Sequence, residues 1–522
     1  MKRYNVYATI VILSNILLSF LMIYEVFLFR SLIDHALAHE VIRRDIITII
    51  IVILIMVSFQ FISLFLKSKY YLSLELELKK RLFISLYKAD YQSIMRIHSA
   101  KVLSLYLDDI RTICDTKCYY IPQLISQISR IILAFLAIIR LNYLIILFLT
   151  IVGAIMLLLS SSYGRYVKKI NKEVLESNDN LNSYLEETYQ NLKFLNVMSD
   201  ANTVINKTDE ELQKNYQIKA KRNNLQSGTN GFVTSTMLIL YALVMCYSAY
   251  LIYQNKISYG TLTALVSLVS YFEAPFSQIG SFLSKFSLFR VSSSRVDSIL
   301  RLPSEEAYDQ IEDFSKIVLD HISFSYNQKQ IYNKFSLEIN KNDIIYIKGP
   351  SGCGKSTLIN ILLGFLKYDG DAYVLSENRR IKIGYKTRGL FSYVPQENIL
   401  FSGTIRDNFK FLNEAILDEE IIEALKKTNV YDELQNGIDY QIYEHGRGLS
   451  VGQIQRILIA MALVKKRPIL IMDEFSSALD RNNEEEIALL LSRLNKTIIF
   501  VSHRDINLEA KVIDLEDINE NN

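Results

Sequence analysis

The chain has 522 residues, room for two to four domains. Half of them (50%) are hydrophobic against 22% charged, and the mean hydropathy of +0.16 leans toward a membrane protein. A net charge of +3 is too small to argue for nucleic acid, and the 4 cysteines form neither a disulfide framework nor a metal-ligand spacing with His.

Gly and Pro are sparse, so long helices are expected. Six apolar runs fill the first half: Asn5 to Phe29, Ile46 to Leu66, Tyr119 to Ile139, Tyr143 to Ser162, Phe232 to Tyr253 and Gly260 to Phe282. Each is about the length that spans a bilayer as a helix. The first is too long for a cleaved signal peptide, and no small-residue cleavage site precedes the second. Between runs two and three, and again between runs four and five, lie long segments rich in Lys and Arg. The remaining connections are short or mixed in sign. Counting positive charges puts both termini and both long segments in the cytoplasm. Tyr71 to Tyr91 and Glu173 to Asn196 carry apolar residues at helical spacing, which predicts membrane helices continuing into the cytoplasm and turning back. Such hairpins need something to dock on. Cys114 and Cys118, one helical turn apart, read as packing residues.

From Ser292 to Phe314 the chain turns polar and reads as a linker. Ile317 to Tyr326 and Phe335 to Ile339 alternate as strands do. Then comes Gly349-Pro-Ser-Gly-Cys-Gly-Lys-Ser-Thr357, a match to G-x-x-x-x-G-K-[ST], between a predicted strand (Asp343 to Lys348) and a predicted helix (from Leu358). Glycines let consecutive N–H groups curl around a phosphate, and the helix start adds its positive dipole end. Lys355 would reach the β/γ-phosphates and Ser356 a Mg²⁺ ion. Further pieces follow in order: Pro395-Gln396-Glu397, Phe401 to Asn408, Gly448-Leu-Ser-Val-Gly-Gln453, Ile469-Leu-Ile-Met-Asp-Glu474, Ser477 to Asp480 and Phe500-Val-Ser-His503. An apolar strand ending in Asp473 places a carboxylate where Mg²⁺ needs an oxygen. Glu474 can polarise the attacking water, and His503 can stabilise the γ-phosphate. Gln396 offers a neutral oxygen to metal or water. The Tyr326 ring could stack on adenine.

In this order the motifs resemble the nucleotide-binding domain of ABC transporters, and the whole chain resembles a half-size ABC exporter. The implied fold is an α-helical six-span membrane domain (1–290), a linker (291–314) and an α/β P-loop NTPase, the ABC ATPase domain (315–522). By position, Tyr326 is the A-loop aromatic. Gly349, Ser351, Gly352, Cys353, Gly354, Lys355, Ser356 and Thr357 cradle ATP. Ser356, Gln396 and Asp473 serve Mg²⁺, while Glu474, His503 and Gln396 are catalytic. Glu444 and Gly446 match the loop that communicates with the membrane helices, and Ser477 to Asp480 the D-loop. The resemblance implies a dimer in which Ser450, Gly452 and Gln453 of the signature meet the partner's ATP. A second copy of this chain is favoured over a different half-transporter. The implied activity is ATP-driven export of a hydrophobic or amphipathic peptide, lipid or drug across the cytoplasmic membrane by alternating access. The alternatives are an importer of the same fold, or a non-transporting ATP-gated channel or sensor.

Three departures stand out. Val451 occupies a signature position where Gly is usual, and a β-branched residue tolerates positive φ poorly; it reads first as a tolerated variant with somewhat slower turnover and otherwise as a weakened composite site. The family's usual C-terminal part is short after His503. No peptidase precedes the first span, so cleavage of leader peptides is not expected.

Spans one, three and six each carry one charge, Glu25, Arg130 and Glu273. Gln123, Gln127 and Arg130 share one helix face, and Ser267, Ser270, Ser277, Ser281 and Ser284 run along another. Such stripes either line a polar cavity suited to a cationic or amphipathic cargo or bond helix to helix.

Overall fold

The computed structural model describes residues 2–95, 97, 99–141, 143–305, 311–326, 329–377, 379–443, 446–475, 479–502 and 508–516. They divide into two compact units, Met1–Ala89 with Ser93–Pro303, and Asp90–Gln92 with Ser304–Asn522.

The first unit is helical. Helices α1 (Lys2–Leu37), α2 (Arg43–Lys88), α3 (Ile121–Leu141), α4 (Tyr143–Gln190), α5 (Ala201–Tyr253) and α6 (Tyr259–Leu300) take up the six apolar runs in turn. Among the described residues, Asn5–Leu37, Arg43–Lys88, Lys101–Leu141 and Ala201–Tyr253 are long and apolar enough to cross a membrane. The runs on α4 and α6 include residues whose side chains lie outside the described set. Helices α2, α4 and α5 have 46, 48 and 53 residues. At 1.5 Å per residue they reach roughly 70–80 Å, more than twice a hydrocarbon core of about 30 Å.

Before α3 the chain does not run as one regular helix. Two π-helical turns, Leu105–Asp109 and Thr116–Tyr120, bracket a short α-helix at Ile110–Asp115. The predicted third span therefore starts inside a π turn. Around this bend Leu82, Leu105, Ile110, Cys114 and Cys118 are fully buried, the packing role expected of the two cysteines. Arg295 on α6 closes the same region, its guanidinium 3.2 Å from both Asp109 and Asp179.

Gly260 is required where α6 starts: a Cβ there would lie 2.4 Å from the Arg30 carbonyl oxygen. In that close approach Asp34 accepts the Gly260 N–H (3.0 Å) and the Ser258 hydroxyl (2.9 Å). Helix α6 continues to Leu300, so the first part of the predicted linker is helical. Its polar residues cover one face of a helix whose other face buries Ser292, Val296 and Ile299.

The second unit holds two main sheets. Strands β1 (Lys316–Tyr326), β2 (Lys329–Asn340), β4 (Asp369–Ser376) and β5 (Arg379–Lys382) form an antiparallel sheet in the order β2-β1-β4-β5. Strands β3 (Ile344–Lys348), β6 (Phe391–Val394), β7 (Ile469–Asp473), β8 (Thr497–Val501) and β9 (Lys511–Asp514) form a parallel sheet in the order β9-β3-β8-β7-β6. Ile345, Ile347, Ile471, Ile499 and Val501 are wholly buried in it. Each such side chain contributes on the order of 1.5–3 kcal/mol, so near-continuous apolar runs are what a parallel sheet covered on both faces demands. Helices α7 (Lys355–Leu362), α8 (Ile405–Leu412), α9 (Asp418–Lys427), α10 (Val451–Val464) and α11 (Arg481–Ser492) complete the unit. The start of α8 explains the Phe401 to Asn408 run. Thr404 and Asp407 form a capping box, and buried Asn408 accepts the Phe401 N–H (2.8 Å) while donating to the carbonyls of Phe401 (2.9 Å) and Thr404 (3.0 Å).

Asp90–Gln92, from the first long basic segment, group with this unit. The Tyr91 ring lies 4.5 Å from that of Phe365, and Asp90 is 3.6 Å from Lys367. Arg388, paired with Glu305, covers Phe365 at 4.3 Å.

Candidate active site

Because its strands are parallel, the segments that follow β3, β6, β7 and β8 leave from one edge of the sheet. After β3, Gly349, Gly352 and Gly354 take φ values of +147°, +85° and +113°, which side chains resist. At Gly354 a Cβ would also fall 2.7 Å from Ile331 and 2.9 Å from the Tyr332 hydroxyl. That hydroxyl donates to the Gly354 carbonyl at 2.8 Å and so fixes the turn into α7. Tyr332 is fully buried, and burial pushes its hydroxyl pKa up, keeping it a donor. Lys355 is buried too, and its Nζ donates to the carbonyls of Gly349 (2.8 Å) and Pro350 (2.9 Å). Ser351, Gly352 and Ser356 are exposed, Cys353 is half-buried and Thr357 is buried.

Across the sheet, Asp473 ends β7 buried, beside the Ser356 hydroxyl. Burial, then the charge of Glu474, push the Asp473 carboxyl pKa up, while Ser356 and Lys355 oppose the shift. Glu474 adopts φ +53°, a left-handed conformation uncommon for a residue with a side chain. Its N–H donates to the Val501 carbonyl at 3.1 Å. Its Oε2 accepts the Gln396 amide at 2.5 Å, so the segment after β6 meets the segment after β7. Tyr326, at the end of β1, is 48% exposed and meets Phe324 edge to face at 4.8 Å.

Ser450 caps α10. It accepts the Gln453 N–H (3.2 Å), and its own N–H donates to the Gln453 side chain (2.8 Å). This capping box keeps the donors at the helix start aligned. Val451 is the first helical residue, 69% exposed, and is not among the residues with positive φ. The backbone strain expected there from its β-branch does not arise. Substituting Val451→Gly is therefore expected to change ATP turnover by less than about twofold, within the range of an exposed substitution. A large gain in steady-state ATPase rate would contradict this.

The sequence pattern did not flag Arg456. Its guanidinium forks onto Glu433 with two bonds of 2.7 Å and reaches the Asn429 carbonyl (2.5 Å) and Asn483 (3.2 Å). Glu433 also accepts the Gln453 amide at 3.0 Å, and the pairing with Arg456 holds its carboxyl below the usual range. Asp480 caps α11, accepting the Asn483 N–H at 2.9 Å. No motif spacing encodes these links. Glu444, Ser477, Ala478 and His503 lie outside the described residues.

In the helical unit the polar stripes divide. Gln123 and Gln127 on α3 both donate to the Gln278 side chain on α6, at 3.0 and 2.9 Å. Ser284 accepts from Asn171 on α4 at 3.1 Å, and Ser281 donates to the Gln278 carbonyl at 2.8 Å. Gln123, Gln127, Gln278, Asn171 and Ser284 thus bond helix to helix, while Ser281 bonds within α6. Arg130 directs Nη1 at the Met22 sulfur, 4.0 Å away. The side chains of Glu273 and Ser277 lie outside the described set.

Comparison with known proteins gives two family matches, the ABC transporter transmembrane region over residues 8–276 and the ABC transporter family over residues 332–477. A Rickettsia felis protein named export ATP-binding/permease protein is 32% identical over 424 residues, 77% of this chain and 72% of that one. The lactococcin-A transport/processing ATP-binding protein of Lactococcus lactis is 30% identical over 65% of this chain and 48% of its own length. The mesentericin-Y105 transport/processing protein of Leuconostoc mesenteroides is 29% identical over 66% of this chain and 49% of its own.

Proposed function

The chain belongs to the ABC transporter family as a membrane protein that couples ATP hydrolysis to export, and from that premise we propose that it moves a hydrophobic or amphipathic cargo across the cytoplasmic membrane as a dimer, its ATPase unit in the cytoplasm. One observation carries this reading. A P-loop and an Asp473–Glu474 pair share one sheet edge in the same chain as a set of long apolar helices.

In the proposed cycle Lys355 exchanges the carbonyls of Gly349 and Pro350 for phosphate oxygens, and the N–H groups of Gly352, Cys353 and Gly354 with the start of α7 hold the rest. Ser356 and Asp473 fit a Mg²⁺ ion. A hydroxyl and a buried carboxylate stand side by side there, and at Asp473 burial outweighs the nearby Lys355 charge. When bound, the ion would neutralise charge on the phosphates. Gln396, with its nitrogen on Glu474, would turn its oxygen toward that ion. Glu474 would take the proton of the attacking water, and His503 would stabilise the γ-phosphate. Ser450, Gly452 and Gln453 would complete the partner's site, a second copy of the chain being the simplest partner. The contact of Tyr91 with Phe365 would carry motion between the first long segment and the nucleotide.

If Tyr326 stacks on adenine, Tyr326→Ala should raise the KM for ATP roughly five- to thirtyfold, while Tyr326→Phe leaves it near the wild-type value. Steady-state ATPase kinetics decide this. The export reading itself is tested in inside-out vesicles. ATP should drive a labelled amphiphile inward against its gradient. Equilibration without accumulation would mean a channel, and accumulation only in right-side-out vesicles would mean an importer.

A further inference from the structure

Between α1 and α6 lies a cavity of about 390 Å³, within the range that holds a drug-sized ligand. Its polar lining is Glu25, Thr263, Ser267, Ser270 and Tyr271, and Phe29 stands among its apolar walls. The chemistry of that lining is one-sided. The Thr263 hydroxyl donates to the Gly260 carbonyl (2.8 Å), Ser270 to the Ser267 carbonyl (2.7 Å) and Tyr271 to the Met22 carbonyl (3.4 Å). These three commit their protons to backbone and keep oxygen lone pairs as acceptors, while the Ser267 hydroxyl can donate or accept. Glu25 adds a carboxylate. Pro275, one turn along α6, has no N–H to give the Tyr271 carbonyl. Among the described residues no Lys or Arg lines the cavity; Arg130, the charge on the neighbouring span, points at Met22 instead.

An anion or a pure acceptor meets the Glu25 carboxylate and finds at most the Ser267 hydroxyl as a donor, whereas a cation rich in N–H groups finds several acceptors. A lone carboxylate at membrane depth is also costly until an opposite charge joins it. We propose that this cavity is a binding subsite for the ammonium group of an alkylammonium amphiphile, with Glu25 as its counter-ion and Phe29 against its apolar body. That the bound amphiphile is cargo rests on the export reading; that the subsite exists does not.

The test is equilibrium binding of dodecylammonium to the full-length protein in lipid nanodiscs, corrected with empty nanodiscs. Saturable binding should weaken at least about tenfold in Glu25→Gln and be largely restored in Glu25→Asp, as expected for loss and return of a charge-assisted bond. Dodecyltrimethylammonium, without N–H groups, should bind at least about fivefold more weakly than dodecylammonium, a loss of the size of one or two hydrogen bonds. Dodecyl sulfate should show no saturable binding. Size-exclusion elution and the thermal loss of helical circular dichroism, matched to the wild type, report that the helical unit of each variant is folded. Equal affinity for dodecylammonium and dodecyl sulfate, or wild-type affinity in Glu25→Gln, would overturn the proposal. The export reading fails separately. A protein that binds dodecylammonium but accumulates no amphiphile in inside-out vesicles keeps the subsite and loses the function. One that accumulates neutral dodecanol yet binds without regard to charge keeps the function and loses the subsite.

Discussion

Glu474→Gln is expected to bind ATP with near-normal affinity and to hydrolyse it at least ~100-fold more slowly. The amide has the shape of the carboxylate but cannot take a proton from water. Its carbonyl oxygen can still accept from Gln396, so the 2.5 Å contact and the left-handed backbone at φ +53° can both persist. The expected loss therefore falls on the chemical step, with the site's shape retained. Nucleotide binding and single-turnover hydrolysis measured together check it. Near-normal turnover would remove Glu474 from the role of base and move attention to His503.

Arg456→Met should lower the stability of the ATPase unit by about 3 kcal/mol, the low end for breaking a buried ion pair because its partner can rehydrate. Arg456 is 4% exposed, and the Glu433 side chain is 41% exposed. For a unit of this size that loss corresponds to a fall of roughly 6–12 °C in its unfolding midpoint. Arg456→Lys should fall between the two, since one ammonium cannot fork onto Glu433 and still reach Asn429 and Asn483. Calorimetry on the full chain reads the shift. The same substitution should loosen α10 at its capped end, because Glu433 holds Gln453 through the ion pair. An unchanged midpoint would mean that the network adds nothing to packing.

What the sequence makes legible follows from how each feature is encoded. The apolar helices are legible because spanning length is a property of consecutive residues. The P-loop is legible because a tight turn around phosphate needs glycine at set positions and an amine beside it. Asp473 is placed by the end of an apolar strand. Partners distant in sequence are another matter. Tyr332 lies on a strand whose alternation extends well before the predicted Phe335, and nothing local announces that its hydroxyl reaches Gly354. Arg456 reads as one charge on an apolar helix until Glu433 folds against it. The polar stretch after Ser292 resembles a linker because composition averages over both faces of a helix. At Val451 the residue type alone leaves a tolerated variant and a strained site both open, and only the cap formed by Ser450 and Gln453 one residue earlier shows Val451 in a right-handed turn. On α3 the stripe of Gln123 and Gln127 fits a lining or a seam equally well, and only the position of Gln278 decides that they form a seam.

The two π turns ahead of α3 have a consequence for which changes in chain length the helical unit can absorb. A π turn holds one residue more than the α turn it interrupts. Removing one residue from Leu105–Asp109 or Thr116–Tyr120 would let that turn relax to α-helix and leave the faces on either side where they are. Adding one residue to the regular turn at Ile110–Asp115, if it were not absorbed as a further bulge, would rotate everything after it by about 100°. Gln123 and Gln127 would then leave Gln278, and Arg130 would leave Met22. The segment before the third span is thus a place where single deletions are tolerable and single insertions are not.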